Sequence, residues 1–447
     1  MSVRTRIAPS PTGRLHIGTV RTALFNYLYA KHMGGVYAMR VEDTDRVRSK
    51  KEHEEEIIEG LEWLGIKHDE FVRQSERVAR HQELLEKLVE EGKAYLSKED
   101  SKVEPGKEVE VVRLKNPSRD VTFTDLVRGD ITFHTGELED FVIARAIDDP
   151  LYHFAVVVDD WDMNITHVIR GEDHISNTTR QILIQEALGA ARPLYAHLPL
   201  ILGSDRSKLS KRNGATSLVD YRAEGFIPEG IVNYLALLGW NPGTDEEHFS
   251  LEELTKRFDL EGVQKSGAVW DREKLLSVNQ RWMRAITDED FIERLASHMG
   301  DAFGTYDRAM LEKSVTLMKE RARTLEEAAQ MLSGELSGLF STPKLTTESL
   351  TAKEPADRTG LTKSALEGLL EALKALPEGV SAEAAKEALM PLADAAEADG
   401  KGGRGGTLWP LRYSLSGQER SPDPFTLISL LGPAEAVSRV EHALGIL

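Results

Sequence analysis

The first 65 residues switch hydrophobic period from two to 3.6 and back, and that alternation most constrains what this chain can fold into. Residues 3–8 read as a short strand, which Pro9, Pro11 and Gly13 break with a turn. Residues 19–33 then place Val20, Ala23, Leu24, Tyr27 and Leu28 on one helical face, and Gly34 and Gly35 stop the helix. A second strand is expected at 36–41. Ser49 and Glu52 have the spacing of a capping box, opening a helix that carries Ile57, Ile58, Leu61 and Leu64. Strand, helix, strand, helix in this order predicts a parallel sheet, because parallel neighbours need a crossover between them.

After a helix over about residues 75–91 the pattern changes. Residues 109–115, 121–133 and 141–146 are strand-like, with Arg128, Gly129 and Asp130 as a turn, so a mostly β insertion is expected to split the sheet. The α/β pattern resumes with strand-like runs at 153–158 and 166–170, a helix over 177–188 and an apolar strand at 197–202. From about residue 216 nearly every stretch has helical period, as at 231–238, 251–258, 311–332 and 366–373. Residues 400–406, glycines interrupted by Lys401 and Arg404, read as a mobile loop or linker. The expected fold class is α/β: a Rossmann-like parallel-sheet domain with a β-rich insertion, followed by an all-α C-terminal region.

Composition narrows the function. A length of 447 residues suggests about three domains. With 56 Lys and Arg against 74 Asp and Glu, the net charge of −18 taken alone argues against a nucleic-acid partner. A basic groove can nonetheless sit on an acidic body, so the position of the cations decides. The absence of cysteine excludes disulfides, thiol nucleophiles and cysteine-ligated zinc. No apolar run approaches the roughly 18 residues of a membrane span, and the N-terminal text lacks a signal-peptide core, so a cytoplasmic protein without a membrane partner is expected.

Two segments carry chemistry. The first runs from Pro9 to Thr19 and contains His16, Ile17, Gly18 and Thr19 between a strand and a helix start. There, at the carboxyl end of a parallel sheet, unpaired N–H groups and the positive dipole end suit phosphate. His16 and Thr19 add side-chain donors, and Gly18 lets a flat base approach the backbone. A histidine that merely caps the helix is the alternative. The second segment, residues 203–214, sets Arg206, Lys208, Lys211 and Arg212 against Asp205 after a predicted strand. It is either a solvated charged loop or a clamp whose lysines neutralise a departing pyrophosphate.

Together these segments, in strand-turn-helix and strand-loop contexts, resemble the paired signatures of class I aminoacyl-tRNA synthetases. The flanking text is similar to the bacterial glutamyl-tRNA synthetases: RIAPSPTG, RVEDTD ending at Asp45, VVVDDWDMNITHVIRGEDH from Val156 and LALLGWNP from Leu235. The resemblance is dense from residue 4 to about 285 and beyond that rests on helical content and length. It implies ATP-dependent ligation of L-glutamate to the 3′ end of tRNA(Glu) through glutamyl-adenylate, with release of pyrophosphate and AMP. By position in the matching motifs, His16, Gly18 and Thr19 would hold ATP, and Lys208 and Lys211 the leaving pyrophosphate. His16, Thr19 and the two lysines form the catalytic set. Mg2+ would accompany the triphosphate without a protein cage, leaving no metal-site residues.

Arg6, Ser10, Glu42, Tyr152 and Arg170 match the family's glutamate positions, and Asp173 a position lining the adenosine pocket. Arginine suits a planar carboxylate because it binds two oxygens at once. Alternatively, Arg6 and Glu42 pair with each other across strands and Tyr152 is core. Asp159 and Asp160 read as structural. Arg321 matches a position that inspects the last anticodon base and favours tRNA(Glu) over tRNA(Gln); a plain surface arginine is the other reading.

The domain layout so implied is 1–72 plus 151–215 for catalysis, 73–150 for the acceptor stem, 216–285 as a helical stem contact, and 286–447 as an anticodon region in two parts, 286–375 and 376–447. A monomer is expected, as is a need for bound tRNA before glutamate is activated. The insertion departs from the family pattern: from Ala94 to Ser97 it reaches residues 109–115 through Pro105 and Gly106, and it has no cysteine, so no zinc is expected. A relaxed enzyme that also charges tRNA(Gln), a short paralogue that glutamylates a tRNA base, a noncatalytic tRNA-binding descendant and a small nucleotidyltransferase are the rivals. The helical C-terminal residues argue against the paralogue and the nucleotidyltransferase, and the retention of both loops against the noncatalytic descendant.

Overall fold

The computed structural model describes residues 2–45, 47–100, 108–137, 139–209, 217–353, 360–398 and 403–447. The chain divides into two compact units, Met1–Asn279 and Gln280–Leu447.

The first unit opens with the expected alternation: β1 (Arg4–Ile7), α1 (Ile17–His32), β2 (Val36–Val41), α2 (Lys51–Trp63) and β3 (Glu70–Arg73). These strands are parallel, with Arg6 opposite Ala38 and Ala38 opposite Glu70. β2 is buried at five of its six positions, as a strand covered on both faces must be. After α3 (Val78–Glu90) come β4 (Ala94–Asp100), β5 (Glu108–Leu114), β6 (Asp120–Asp125), β7 (Gly129–His134), β8 (Phe141–Ala146) and β9 (Asp149–Pro150). The chain continues with α4 (Tyr152–Asp162), β10 (His167–Gly171), α5 (Ile175–Leu188), β11 (Leu194–Leu198) and β12 (Ile201–Leu202). Then follow α6 (Leu218–Ala223), α7 (Pro228–Leu237), α8 (Leu251–Arg257), β13 (Ala268–Val269) and α9 (Arg272–Ala285).

Two features of this topology position the site. β10 lies beside β1, with the Thr166 N–H donating to the Arg4 carbonyl at 3.0 Å. β2 flanks β1 on one side and β11 flanks β10 on the other, so the strand order reverses between β1 and β10, where such sheets bind ligands. Of the inserted strands, β4, β5, β8 and β9 make an antiparallel sheet. The β6–β7 hairpin instead joins the main sheet, β6 pairing parallel to β11 at Asp125 and Tyr195.

In the second unit every regular element among the described residues is helical: α10 (Asp288–Met299), α11 (Arg308–Arg321), α12 (Leu325–Ser333), α13 (Thr347–Leu350), α14 (Leu361–Lys374), α15 (Ala382–Ala398), α16 (Gly403–Ser416), α17 (Pro424–Leu431) and α18 (Pro433–Ile446). Leu366, Leu373, Leu389, Leu411 and Val440 are fully buried between them. Among the described residues no helix is long and apolar enough to cross a membrane.

Several expectations are corrected. Residues 153–158 belong to helix α4, because every residue from Phe154 to Asp160 is buried and such a run carries no period. The strand expected at 197–202 is interrupted at Pro199, which has no N–H to give a ladder. Ser49 makes no capping box: Lys50 is the N-cap of α2, without a side-chain bond, and the Ser49 N–H donates to the Asp45 carbonyl. The helix read over 311–332 is two, separated where Thr324 caps α12 by accepting from the Glu327 N–H. Gly403 to Gly406 form the first turn of α16 rather than a loop, anchored by Arg404 to Asp394 at 2.6 Å. Residues 400–402, Pro105 and Gly106 lie outside the described residues.

Candidate active site

A cavity of about 1140 Å³ opens at the carboxyl ends of β1 and β10. Arg6, Ser10, His16, Gly18, Thr19, Glu42, Tyr152, Arg170, Asp173 and Lys208 all line it. Lys211 and Arg212 lie outside the described residues.

The wall nearest the start of α1 follows from local chain chemistry. His16 is extended (φ −82°, ψ 145°) and its Nδ1 accepts from the Gly18 N–H at 3.1 Å, so the histidine does cap the helix. Capping and lining the cavity are compatible, since the ring remains on the wall. The first turn of α1 contains no acidic residue, so its positive end stays uncompensated by the helix itself. Also on the wall, Lys208 Nζ meets Asp173 Oδ2 at 2.8 Å, both side chains being exposed. Partial burial works against the Asp173 charge, but Lys208 holds its carboxyl below the ordinary value.

Arg6 and Glu42 do not pair with each other. Arg6 Nε and Nη2 donate to the two oxygens of Asp160 at 3.0 and 3.3 Å, and Arg40 grips the same carboxylate at 2.6 Å. Arg40 Nη2 also reaches Glu42 at 3.1 Å. Burial raises the Glu42 pKa and Arg40 only partly offsets it. For Asp160 the balance is reversed: against the cost of burial, Arg6 and Arg40 hold it ionised and below its ordinary value. Asp159 lies 3.8 Å from Arg40 Nε and accepts from His81 (2.8 Å), Arg77 (2.6 Å) and Gln74 (2.7 Å).

Arg170, from β10, is 6% exposed and differs from Arg6 in having only neutral hydrogen-bond partners among the described residues. Nε donates to His197 Nε2 at 3.3 Å, and Nη2 to Thr178 Oγ1 at 2.8 Å and the His174 carbonyl at 3.5 Å. Nη1 has no partner among the described residues. Burial depresses its pKa. Tyr152 starts α4 at the cavity wall, 38% exposed, its phenol pushed up to about 12 by burial and by Glu42. Beside it, His153 and His174 are pushed down to about 4 by burial and by arginines. In the second unit, Arg321 ends α11 on the surface, 3.4 Å from Glu335.

Sequence reasoning missed the residues behind the wall: Arg40, His197, Asp125 and Thr178. Arg40 carried a signal, a charge inside a strand otherwise apolar enough to be buried on both faces. Arg21 carried another, on the apolar face of α1; it is buried, donates to the carbonyls of Leu238 (3.2 Å) and Pro199, and burial lowers its pKa to about 10.

Comparison with known proteins agrees with this geometry. The family described as class I tRNA synthetases (E and Q), catalytic domain, matches residues 2–104 and 96–277, and an anticodon binding domain matches residues 290–444. A glutamate–tRNA ligase of Nitrosospira multiformis is 39% identical, over 99% of this chain and 99% of its own. One from Aquifex aeolicus is 46% identical over 74% of this chain and 77% of its own. The crystal structure of a glutamate tRNA ligase from Elizabethkingia meningosepticum, in complex with its amino acid, superposes with a TM-score of 0.85 at 32% identity, covering 100% of both chains. The chain belongs to the glutamate–tRNA ligases, within the class I tRNA synthetases.

Proposed function

We propose that this chain charges tRNA(Glu) with L-glutamate in two steps. The glutamate α-carboxylate attacks the α-phosphorus of ATP in line, expelling pyrophosphate, and the glutamyl group then passes from the adenylate to the terminal adenosine of the tRNA, releasing AMP. Neither step needs a protein nucleophile; positioning and charge neutralisation carry the rate. The observation that carries this reading is convergence on one cavity: a helix start free of acid, an exposed lysine and a buried arginine with no carboxylate partner among the described residues.

In this reading His16, Gly18 and Thr19 hold the triphosphate and base, and Asp173 the adenosine. Lys208 leaves Asp173 for the pyrophosphate, joined by Lys211 from the same motif. Arg170 meets the side-chain carboxylate of glutamate with Tyr152, Arg6 and Ser10 around it, and Glu42 faces the ammonium. Magnesium would enter with ATP, held mainly by phosphate oxygens and water rather than by a dedicated protein cage. Cysteine-ligated zinc is not expected, the chain having no cysteine. A cytoplasmic monomer is part of this proposal.

The deciding experiment is aminoacylation of purified tRNA(Glu) and tRNA(Gln) with glutamate and with glutamine. Glutamate on tRNA(Glu) alone is expected, with Arg321 excluding tRNA(Gln); glutamate on both would make the enzyme relaxed, and no charging would overturn the proposal. ATP–pyrophosphate exchange should need bound tRNA, and full exchange without it would refute that requirement.

A further inference from the structure

Arg170 is a buried cation whose described partners are all neutral, an arrangement costly unless something fixes and compensates it. The compensation lies one imidazole away. His197, fully buried on β11, has its Nδ1 2.6 Å from Asp125 Oδ2, while its Nε2 faces Arg170 Nε. A guanidinium can only donate, so Nε2 must present its lone pair. The imidazole proton is therefore on Nδ1, donated to Asp125. Thr178 Oγ1, 3.1 Å from Nε2, is compatible with the same tautomer.

Asp125 comes from the inserted segment, at the point where its hairpin joins the main sheet. It ends β6 in the inserted hairpin, and its Oδ1 also accepts from the N–H groups of Val127 (3.0 Å) and Arg128 (2.9 Å), closing the hairpin turn. The backbone N–H of His197 donates to Oδ2 at 3.1 Å. One carboxylate thus shapes the insertion and orients the imidazole that holds Arg170. Arg128 adds a second tie, pairing with Glu172 two residues beyond Arg170.

We propose that His197 and Asp125 are positioning residues for Arg170: the hairpin carboxylate keeps the imidazole proton on Nδ1, and the bare Nε2 fixes the guanidinium in the orientation that receives the substrate's side-chain carboxylate. The inserted hairpin then sets affinity for the amino acid, through a bond that touches no substrate. This rests on reading the cavity as a glutamate site. Burial pushes the His197 pKa down, Asp125 pulling it up and Arg170 pushing it further down, and the net lowering keeps the ring neutral as the tautomer requires.

The test is steady-state charging of tRNA by the full chain, with glutamate and ATP varied separately, for wild type, Asp125→Asn, His197→Phe and His197→Gln. Loosening a substrate arginine should raise the glutamate KM about 100-fold in His197→Phe and about 10-fold in Asp125→Asn, with the ATP KM and kcat within about threefold. His197→Gln, whose amide oxygen can accept from Arg170, should recover about tenfold over His197→Phe. A folded His197→Phe with wild-type glutamate KM, or one whose ATP KM rises in parallel, overturns the proposal. If His197→Phe does not fold, Asp125→Asn and His197→Gln decide: an unchanged glutamate KM in Asp125→Asn overturns it, and a selective rise there with milder loss in His197→Gln supports it. A wild-type chain that attaches no glutamate to tRNA overturns the glutamate reading itself, and is seen before any variant is compared.

Discussion

Two carboxylate–cation contacts of the cavity, similar on paper, have opposite physical weight. Lys208 and Asp173 are 62% and 45% exposed, so their pair is screened and contributes little to stability. That is what a lysine needs if it must leave its partner for a phosphate. Lys208→Ala is expected to slow pyrophosphate exchange by about 100-fold while leaving the melting temperature within about 1 °C of wild type. A drop in melting temperature with unchanged exchange would make the lysine structural. Asp160 is the contrary case, nearly enclosed and shared by Arg6 and Arg40. Asp160→Asn leaves two buried guanidiniums around a neutral amide, and should cost about 3–5 kcal/mol in urea unfolding. A loss below about 1 kcal/mol, the range of an exposed pair, would show that water reaches the site.

Elements were legible where local chemistry decides them and illegible where packing does. The strand-turn-helix from Arg4 to His32 announces itself by prolines, glycines and a 3.6 period, and the structure follows it closely. α4 could not be read: three consecutive valines favour a strand, but a segment buried on every side is decided by its neighbours. The capping pattern at Ser49 failed because Asp45 claims that residue's N–H first. In the same way the loops around the cavity were visible as patterns, whereas His197 and Asp160 reach their arginines, and Asp125 reaches His197, from remote stretches that no local spacing connects. Gly34 and Gly35, read only as a helix stop, separate into two demands. Gly34 has φ +61° with open space around it, while a Cβ on Gly35 would sit 2.1 Å from the Val3 carbonyl oxygen where β1 meets β2. Gly34→Ala should therefore cost about 1–2 kcal/mol, the usual penalty of the left-handed region. Gly35→Ala must move backbone and should cost more than Gly34→Ala in denaturant unfolding. Equal losses would mean the strand edge yields freely.

At the scale of the whole chain, acid should act unevenly on the two compact units. His153, His167, His174 and His197, all in the first unit, have pKa values pushed down by burial, to about 4 for His153 and His174. Unfolded histidine titrates near about 6.5, so between that pH and about 4 the unfolded chain binds protons that the folded one refuses. Stability from this source is complete at neutral pH and drains away as pH falls through that window. Carboxylates held low by cations or hydrogen-bond donors, such as Asp160, Asp173 and Asp125, lose their contribution only further down, below the ordinary aspartate range. Glu42, raised by burial, opposes the histidines by one group. Calorimetry should resolve two transitions, since units with separate cores need not melt together. On going from pH 7 to pH 5 one transition should fall more than the other, and it should be the one that Gly35→Ala lowers at pH 7. If acid moves the other transition, or both equally, the buried histidines do not govern the acid sensitivity of the catalytic unit.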